Sequence, residues 1–360
     1  MTLRIRRLCR MMTTAAIAAI AMPGCAQQEL TWDEAAKAGP APVVMAAGET
    51  DAVATANADA ADDPAIWRDP VDPSRSLIVG TDKKAGLNLY DLSGKLRHFA
   101  DAGRVNNVDL IETVIAGQPG VLVAASDRND KVNAKIALFV LDTVNAKLVP
   151  LGSVAAGAGE AYGLCLAPQE GGVDAYMVAK DGTISQIALD LRGPKPQGRT
   201  VRTMKLATQS EGCVVDPRTN QLYVAEEDVG LWRFDAARGG SIEATSIAKV
   251  DGKTLVADVE GLALAPVGER DGWLMVSSQG DYAYALYRLA DGGFAGRFRI
   301  AQGKVGAVSE TDGIGLVLGD FGADYPGGLF VAQDGHNEPK AQNFKLVAWD
   351  AIVKTLRLKP

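Results

Sequence analysis

Carboxylates recur in this sequence at one kind of place. An acidic or amide residue, often beside Gly, opens a short apolar segment at Asp62-Asp63, Asn107-Val108-Asp109, Glu160, Glu211-Gly212, Glu260-Gly261 and Asp312-Gly313. Gathered in space, Asp63, Asp109, Glu211, Glu260 and Asp312 would repel one another strongly, and bound cations are the usual remedy. A set of carboxylate, amide and backbone oxygens selects hard ions, and its flexible spread suits several Ca²⁺ ions better than octahedral Mg²⁺. With His98 and His336 the only histidines, a zinc or iron centre is disfavoured. Alternation along an extended segment puts Asp258 and Glu260 on one side, as a bridging metal site requires, and Glu226, Glu227 and Asp228 add further oxygen nearby. Any one of these residues also reads as a turn former on a solvated rim. Their recurrence in equivalent places is what points to a site.

Cations occupy a second recurring place. Lys83, Lys84, Arg128 and Lys180 each follow an aliphatic run, in the first half of the chain, whereas acidic residues dominate the corresponding places later on. That split suits a polyanion lying across the site, with Lys and Arg on its phosphate oxygens at one side and metal ions bridging at the other. The chain as a whole carries a net charge of −7, so it has no general basic field for nucleic acid or an anionic membrane. No Walker loop, His-Glu-x-x-His, Gly-x-Ser-x-Gly or Arg-His-Gly sequence is present. His98 and His336 read as surface or loop residues.

The elements that must position these groups are short strands. Aliphatic runs ending in a polar cluster stand at Leu77–Asp82, Val121–Asp127, Ala175–Asp181, Leu222–Asp228, Trp273–Gln279 and Leu329–Asp334. Gly, Asp, Asn and Pro punctuate them, and no long stretch has helical spacing. The acidic openings fall roughly 45 to 52 residues apart, the length of a four-stranded propeller blade. The expected fold is therefore all-β, a six-bladed propeller with four-stranded antiparallel blades. Antiparallel pairing puts the start of each first strand and the end of each second strand at one rim, and the first strand is innermost. Both polar phrases then face the mouth of the central channel.

Arg4, Arg6, Arg7 and Arg10 ahead of the apolar run Met11–Met22 read as an export signal over residues 1–26, too short to anchor in a bilayer. Its end fits either a lipoprotein signal at Cys25 or simple cleavage there, placing the protein in the periplasm, on the outer membrane or outside the cell. Residues 27–50, rich in Ala, Gly and Pro, read as a flexible tether, and 51–360 as the propeller. Cys165 and Cys213 remain in the body, and the apolar run around each favours a buried free thiol over a bridge.

Taken together, Asp62–Trp67, Lys83–Leu87, Asn106–Asp109, Tyr223–Asp228, Asp258–Gly261, Ser277–Gly280, Thr311–Ile314 and Gly328–Gly335 closely resemble, in order, the motifs of the β-propeller phytases. The resemblance implies calcium-dependent hydrolysis of phytate to lower inositol phosphates by a metal-activated water. It implies metal binding by Asp62, Asp63, Glu211, Glu227, Asp258, Glu260 and Asp312 with the Val108 carbonyl, and phosphate contacts by Lys83, Arg128, Tyr162 and Lys180, with Lys84 beside them. Lys83, Glu211, Glu227, Asp258 and Glu260 form the implied catalytic set. The sequence departs from the family at Asp181, where Glu is usual, and around Gly335–Glu338, near an implied structural calcium loop. A calcium-dependent propeller lactonase and a non-catalytic binding propeller are the competing readings, and the Lys and Arg set argues against the lactonase. A monomer without an obligate protein partner is expected.

Overall fold

The computed structural model describes residues 31–359 and shows the expected six-bladed propeller. The export signal and Cys25 lie outside the described residues. The innermost strands, in order round the channel, are Ala61–Trp67, Val105–Ile115, Ala161–Gln169, Ser210–Asp216, Val259–Val267 and Ile314–Leu318. Each packs against the next, and the last packs back on the first, closing the ring. The six aliphatic runs all lie in second strands, antiparallel to the first. Each run is apolar on both sides because a blade is covered by neighbours on both faces. The core is accordingly divided among six clusters, one between each pair of adjacent blades.

Two expectations need correction. The segment read as a tether is largely ordered: Thr31 caps a short helix, Trp32–Ala38, through a capping box with Glu34. Beyond it, Val43–Met45 adds a parallel strand to the fifth blade, and Gly48–Glu49 supplies the outermost strand of the sixth. The ring is thus closed by joining the chain's start to its end. Buried cations hold this closure. Arg299, almost fully buried, donates from Nη1 to Gly39 O at 2.6 Å and from Nη2 to Ala35 O at 2.8 Å. Lys345 Nζ, fully buried, lies 2.6 Å from Glu49 Oε2, 3.1 Å from Asp334 Oδ2 and 3.0 Å from the side-chain oxygens of Asn337 and Asn343. Such paired and hydrogen-bonded charges tolerate burial, where a lone one would not.

The second correction concerns Cys165 and Cys213, which form a disulfide across the innermost strands of the third and fourth blades. Their separation of 48 residues lies within the blade spacing, so they occupy equivalent places on adjacent inner strands and face each other. The apolar surroundings predicted burial correctly but said nothing about this pairing.

Candidate active site

Five of the six inner strands carry a β-bulge at their channel-mouth end, just where the acidic phrases stand. The register skips between Ala61 and Pro64, Val105 and Val108, Ala161 and Gly163, Ser210 and Cys213, and Val259 and Leu262. A bulge adds a residue against one partner and re-aims the side chains. It delivers Asp62, Asn106, Tyr162, Glu211 and Glu260 to one site, linked by the contacts below.

Glycines then let the strands crowd together. A Cβ on Gly163 would meet Glu211 O at 1.8 Å, on Gly212 Glu260 O at 2.2 Å, on Gly261 Asp312 O at 2.7 Å, and on Gly313 Asp62 O at 2.7 Å. Each of these glycines presses its blade onto the next at an acidic residue. The recurring Gly beside the carboxylates therefore has a steric cause.

Carboxylate oxygens of Glu211, Glu227 and Glu260 lie within 4.8 Å of one another, all buried. Glu227 stands at the end of a second strand, where Gln209 Nε2 donates to both its oxygens at 2.7 and 2.6 Å. On the other side, Lys83 Nζ pairs with Asp59 at 2.8 Å, Asp62 at 3.0 Å and Asp312 at 2.8 Å, and Gln279 donates to Asp312. Two buried atoms in this pocket have no partner, Asp62 Oδ1 and Glu260 Oε2. A cleft of about 510 Å³ adjoins the pocket at Asp59, Gln279 and Asp312.

The electrostatics follow from this crowding. Burial, then the charges of Asp62 and Asp312, holds the Glu211 carboxyl well above the usual range, and burial with Glu211 and Glu227 does the same to Glu260. Burial lifts Glu227 to about 7 against its Gln209 hydrogen bond. Asp312 also rises to about 7 through burial, which Lys83 only partly offsets. Burial opposes the charge on Lys83, yet Asp312, Asp62 and Asp59 outweigh it and push its pKa well above the usual lysine value. Asp258, half-buried at the rim, is raised by burial and by Asp228, and its own charge acts on both Glu227 and Glu260.

A cationic side is stacked around one aromatic ring. Arg128 and Lys180 lie 5.3 and 5.0 Å from the Tyr162 ring centroid. Glu160 Oε1 accepts from Arg128 Nε at 3.0 Å and from its Nη2. Gln209 Nε2 donates to the Tyr162 hydroxyl at 3.3 Å, tying the ring to Glu227. Burial, then the charge on Glu211, raises the Tyr162 pKa, so the phenol stays neutral.

Most of the expected site residues converge here, and some do not. Asp109 turns away from the mouth to accept from Leu110 N and Leu166 N, both at 2.7 Å, so it ties the second blade to the third. Asn106 stands in its place beside Glu211. Asp63 lies behind the ring, where its Oδ2 accepts from Val108 N at 3.0 Å, and both residues line a cavity farther down the channel with Asp109. Lys84 is exposed beside the pocket. Glu226 faces Trp232 and Thr208, away from Glu227, and Asp181 pairs with Lys205 at 2.8 Å on the surface. Sequence reasoning gave no role to Asp59, Asn106, Gln209 or Gln279, and it placed Glu160 only among the recurring acidic openings, without its contact to Arg128. Asn106 and Gln279 stand inside the quoted motifs, so their spacing was visible although their contacts were not.

The family model described as Phytase matches residues 9–360. The 3-phytase of Bacillus subtilis (strain 168) is 38% identical over 332 residues, covering 88% of this chain and 86% of that protein.

Proposed function

The chain belongs to the phytase family and hydrolyses phosphomonoesters of phytate, and from that premise we propose that the channel-mouth pocket is its calcium-dependent catalytic site. The observation that carries this reading is the pair of buried, unpartnered acidic oxygens, Asp62 Oδ1 and Glu260 Oε2, in a pocket where three glutamates already lie together. Buried acceptors of this kind need a cation or a proton, and an all-oxygen set fits calcium. Asp62, Glu211, Glu227, Asp258, Glu260 and Asp312 would hold the ions. Bound calcium supplies Lewis acidity and offsets charge on the phosphoryl oxygens.

The chain's own groups do the rest. Arg128 and Lys180, each against the Tyr162 ring, bind phosphate oxygens as fixed donors, and the neutral Tyr162 hydroxyl can add a hydrogen bond. Lys83 sits where its charge neutralises Asp59, Asp62 and Asp312 and is available to a phosphate once cations share those carboxylates. Asp63 and the Val108 backbone support the ring from behind. Such positioning and electrostatic stabilisation are what phosphoryl transfer to water requires, without a covalent protein nucleophile.

Export is part of the proposal, supported by the disulfide, which persists in oxidising compartments. Among the described residues no helix is long and apolar enough to cross a membrane. Phosphate release from phytate should rise along a calcium titration and vanish in chelator, and Glu211→Gln should reduce it about a hundredfold or more while the fold persists. Undiminished turnover by chelated protein would sink the reading.

A further inference from the structure

At the boundary of the cationic side and the acid pocket, one amide bonds directly to both an arginine and a glutamate. Asn106 is fully buried at the bulge of the second blade's inner strand. Its Oδ1 accepts from Arg128 Nη1, and its Nδ2 donates to Glu211 Oε1 at 2.8 Å. Arginine can only donate and a carboxylate only accept, so Arg128 fixes which way the amide points and the amide in turn fixes Glu211. The neighbouring Asn107, with its amide turned, brings a second nitrogen to 3.0 Å from Glu211 Oε1, 3.0 Å from Tyr162 O and 3.0 Å from Asn106 Nδ2. Glu160 grips Arg128 from the opposite side.

We propose that Asn106 is a positioning residue for phytate hydrolysis, holding the Arg128 guanidinium and the Glu211 carboxylate in a fixed mutual register. This rests on the assignment of Arg128 to phosphate and Glu211 to calcium. A phosphate seated on Arg128 is then delivered to the acid pocket at one distance only, which near-attack geometry demands. The two arms of the amide need opposite chemistries. Asp at this position could still accept from Arg128 but would place a like charge against Glu211, whereas Leu of similar size could serve neither.

The two substitutions therefore separate the arms. In Asn106→Leu, KM for phytate and the inhibition constant for inorganic phosphate should both rise about tenfold, the worth of one hydrogen bond to a charged group. The half-saturating calcium concentration should rise as well. In Asn106→Asp, phosphate inhibition should stay within about twofold of the parent while kcat falls about tenfold or more. Melting temperatures in saturating calcium accompany each measurement. A merely structural role would lower them in both variants and leave the constants of the folded fraction untouched, which would overturn the proposal. Equal losses of phosphate affinity in both variants would also overturn it. Arg128→Ala is the reference. Should it leave phosphate inhibition unchanged, the assignment of Arg128 falls and the proposal with it, whereas a weakened Arg128→Ala beside an unaffected Asn106→Leu refutes the relay alone.

Discussion

Replacing Gly212 by Ala tests whether close approach of the blades is what makes the acid pocket. The added Cβ would lie 2.2 Å from Glu260 O, 2.9 Å from Glu260 C and 3.1 Å from Gly261 Cα. The nearest of these is backbone, so no side chain can swing aside, and the fourth and fifth blades must part by about 1 Å to restore van der Waals contact. Gly212 is absent from the positive-φ glycines, so the whole cost is this contact. Overpacking of this kind costs roughly 1–3 kcal/mol, and backbone displacement puts it at the upper end. For a chain of this size that corresponds to a fall in melting temperature of about 5 °C. The functional effect is more specific. Glu211 precedes Gly212 on one strand and Glu260 sits on the strand pushed away, so the substitution widens the gap between carboxylates whose oxygens now lie within 4.8 Å. A loss of about 1.4 kcal/mol in cation binding raises the half-saturating calcium concentration about tenfold. Gly239→Ala is the control, because a Cβ there meets nothing within 4 Å. Phosphate release across a calcium titration, with thermal melts in calcium and in chelator, reads both effects. If Gly212→Ala matched Gly239→Ala in both, the crowding of the carboxylates would have another cause.

Two further outcomes follow from the same structure. Replacing Cys165 and Cys213 by Ala should cost about 2–4 kcal/mol through lost constraint on the unfolded chain, and added reductant should lower the melting temperature of the parent but not of the variant; equal sensitivity of the two would refute a stabilising bridge. In chelator the protein should be less stable at about pH 8 than at about pH 5, because Glu227 and Asp312, raised by burial to about 7, favour the folded state while protonated and lose that contribution as pH rises through 7. Excess calcium should reverse this order, since it binds the ionised carboxylates. Melting curves at both pH values, each with calcium and with chelator, check the sign, and a chelated protein that gains stability toward pH 8 would contradict it.

The parts of this molecule that repeat were legible, and the parts that break the repeat were not. Leu77–Asp82 and its five counterparts announce second strands because each is buried on both faces and ends in polar residues at one rim. The blade spacing followed, and with it the convergence of Glu211, Glu260 and Asp312 with Lys83 and Arg128. The bulges were invisible, since an extra residue in a strand leaves no mark on composition. A one-residue slip moves a side chain to the other face, which is why Asp109 lies between blades while Asn106 reaches the pocket. Val43–Met45 and Gly48–Glu49 are too short to show alternation, and their strand character comes from edges offered by the fifth and sixth blades. The disulfide was readable in principle, because a separation of 48 residues places two cysteines at equivalent points of adjacent blades.

These misses bear on how the pocket is tolerated at all. Assembling buried carboxylates is unfavourable, and it is done on inner strands whose bulges re-aim the side chains and whose glycines let neighbouring backbones meet. The compensating apolar burial lies farther out, in six clusters that each bridge two blades, and the ring is locked at its seam by Arg299 and Lys345. Each blade therefore brings the end of its inner strand to the channel mouth while remaining anchored along its length. That division lets acidic residues from separate blades be held closer than their charges favour, which is the condition for binding cations there with residual charge left to meet a phosphate.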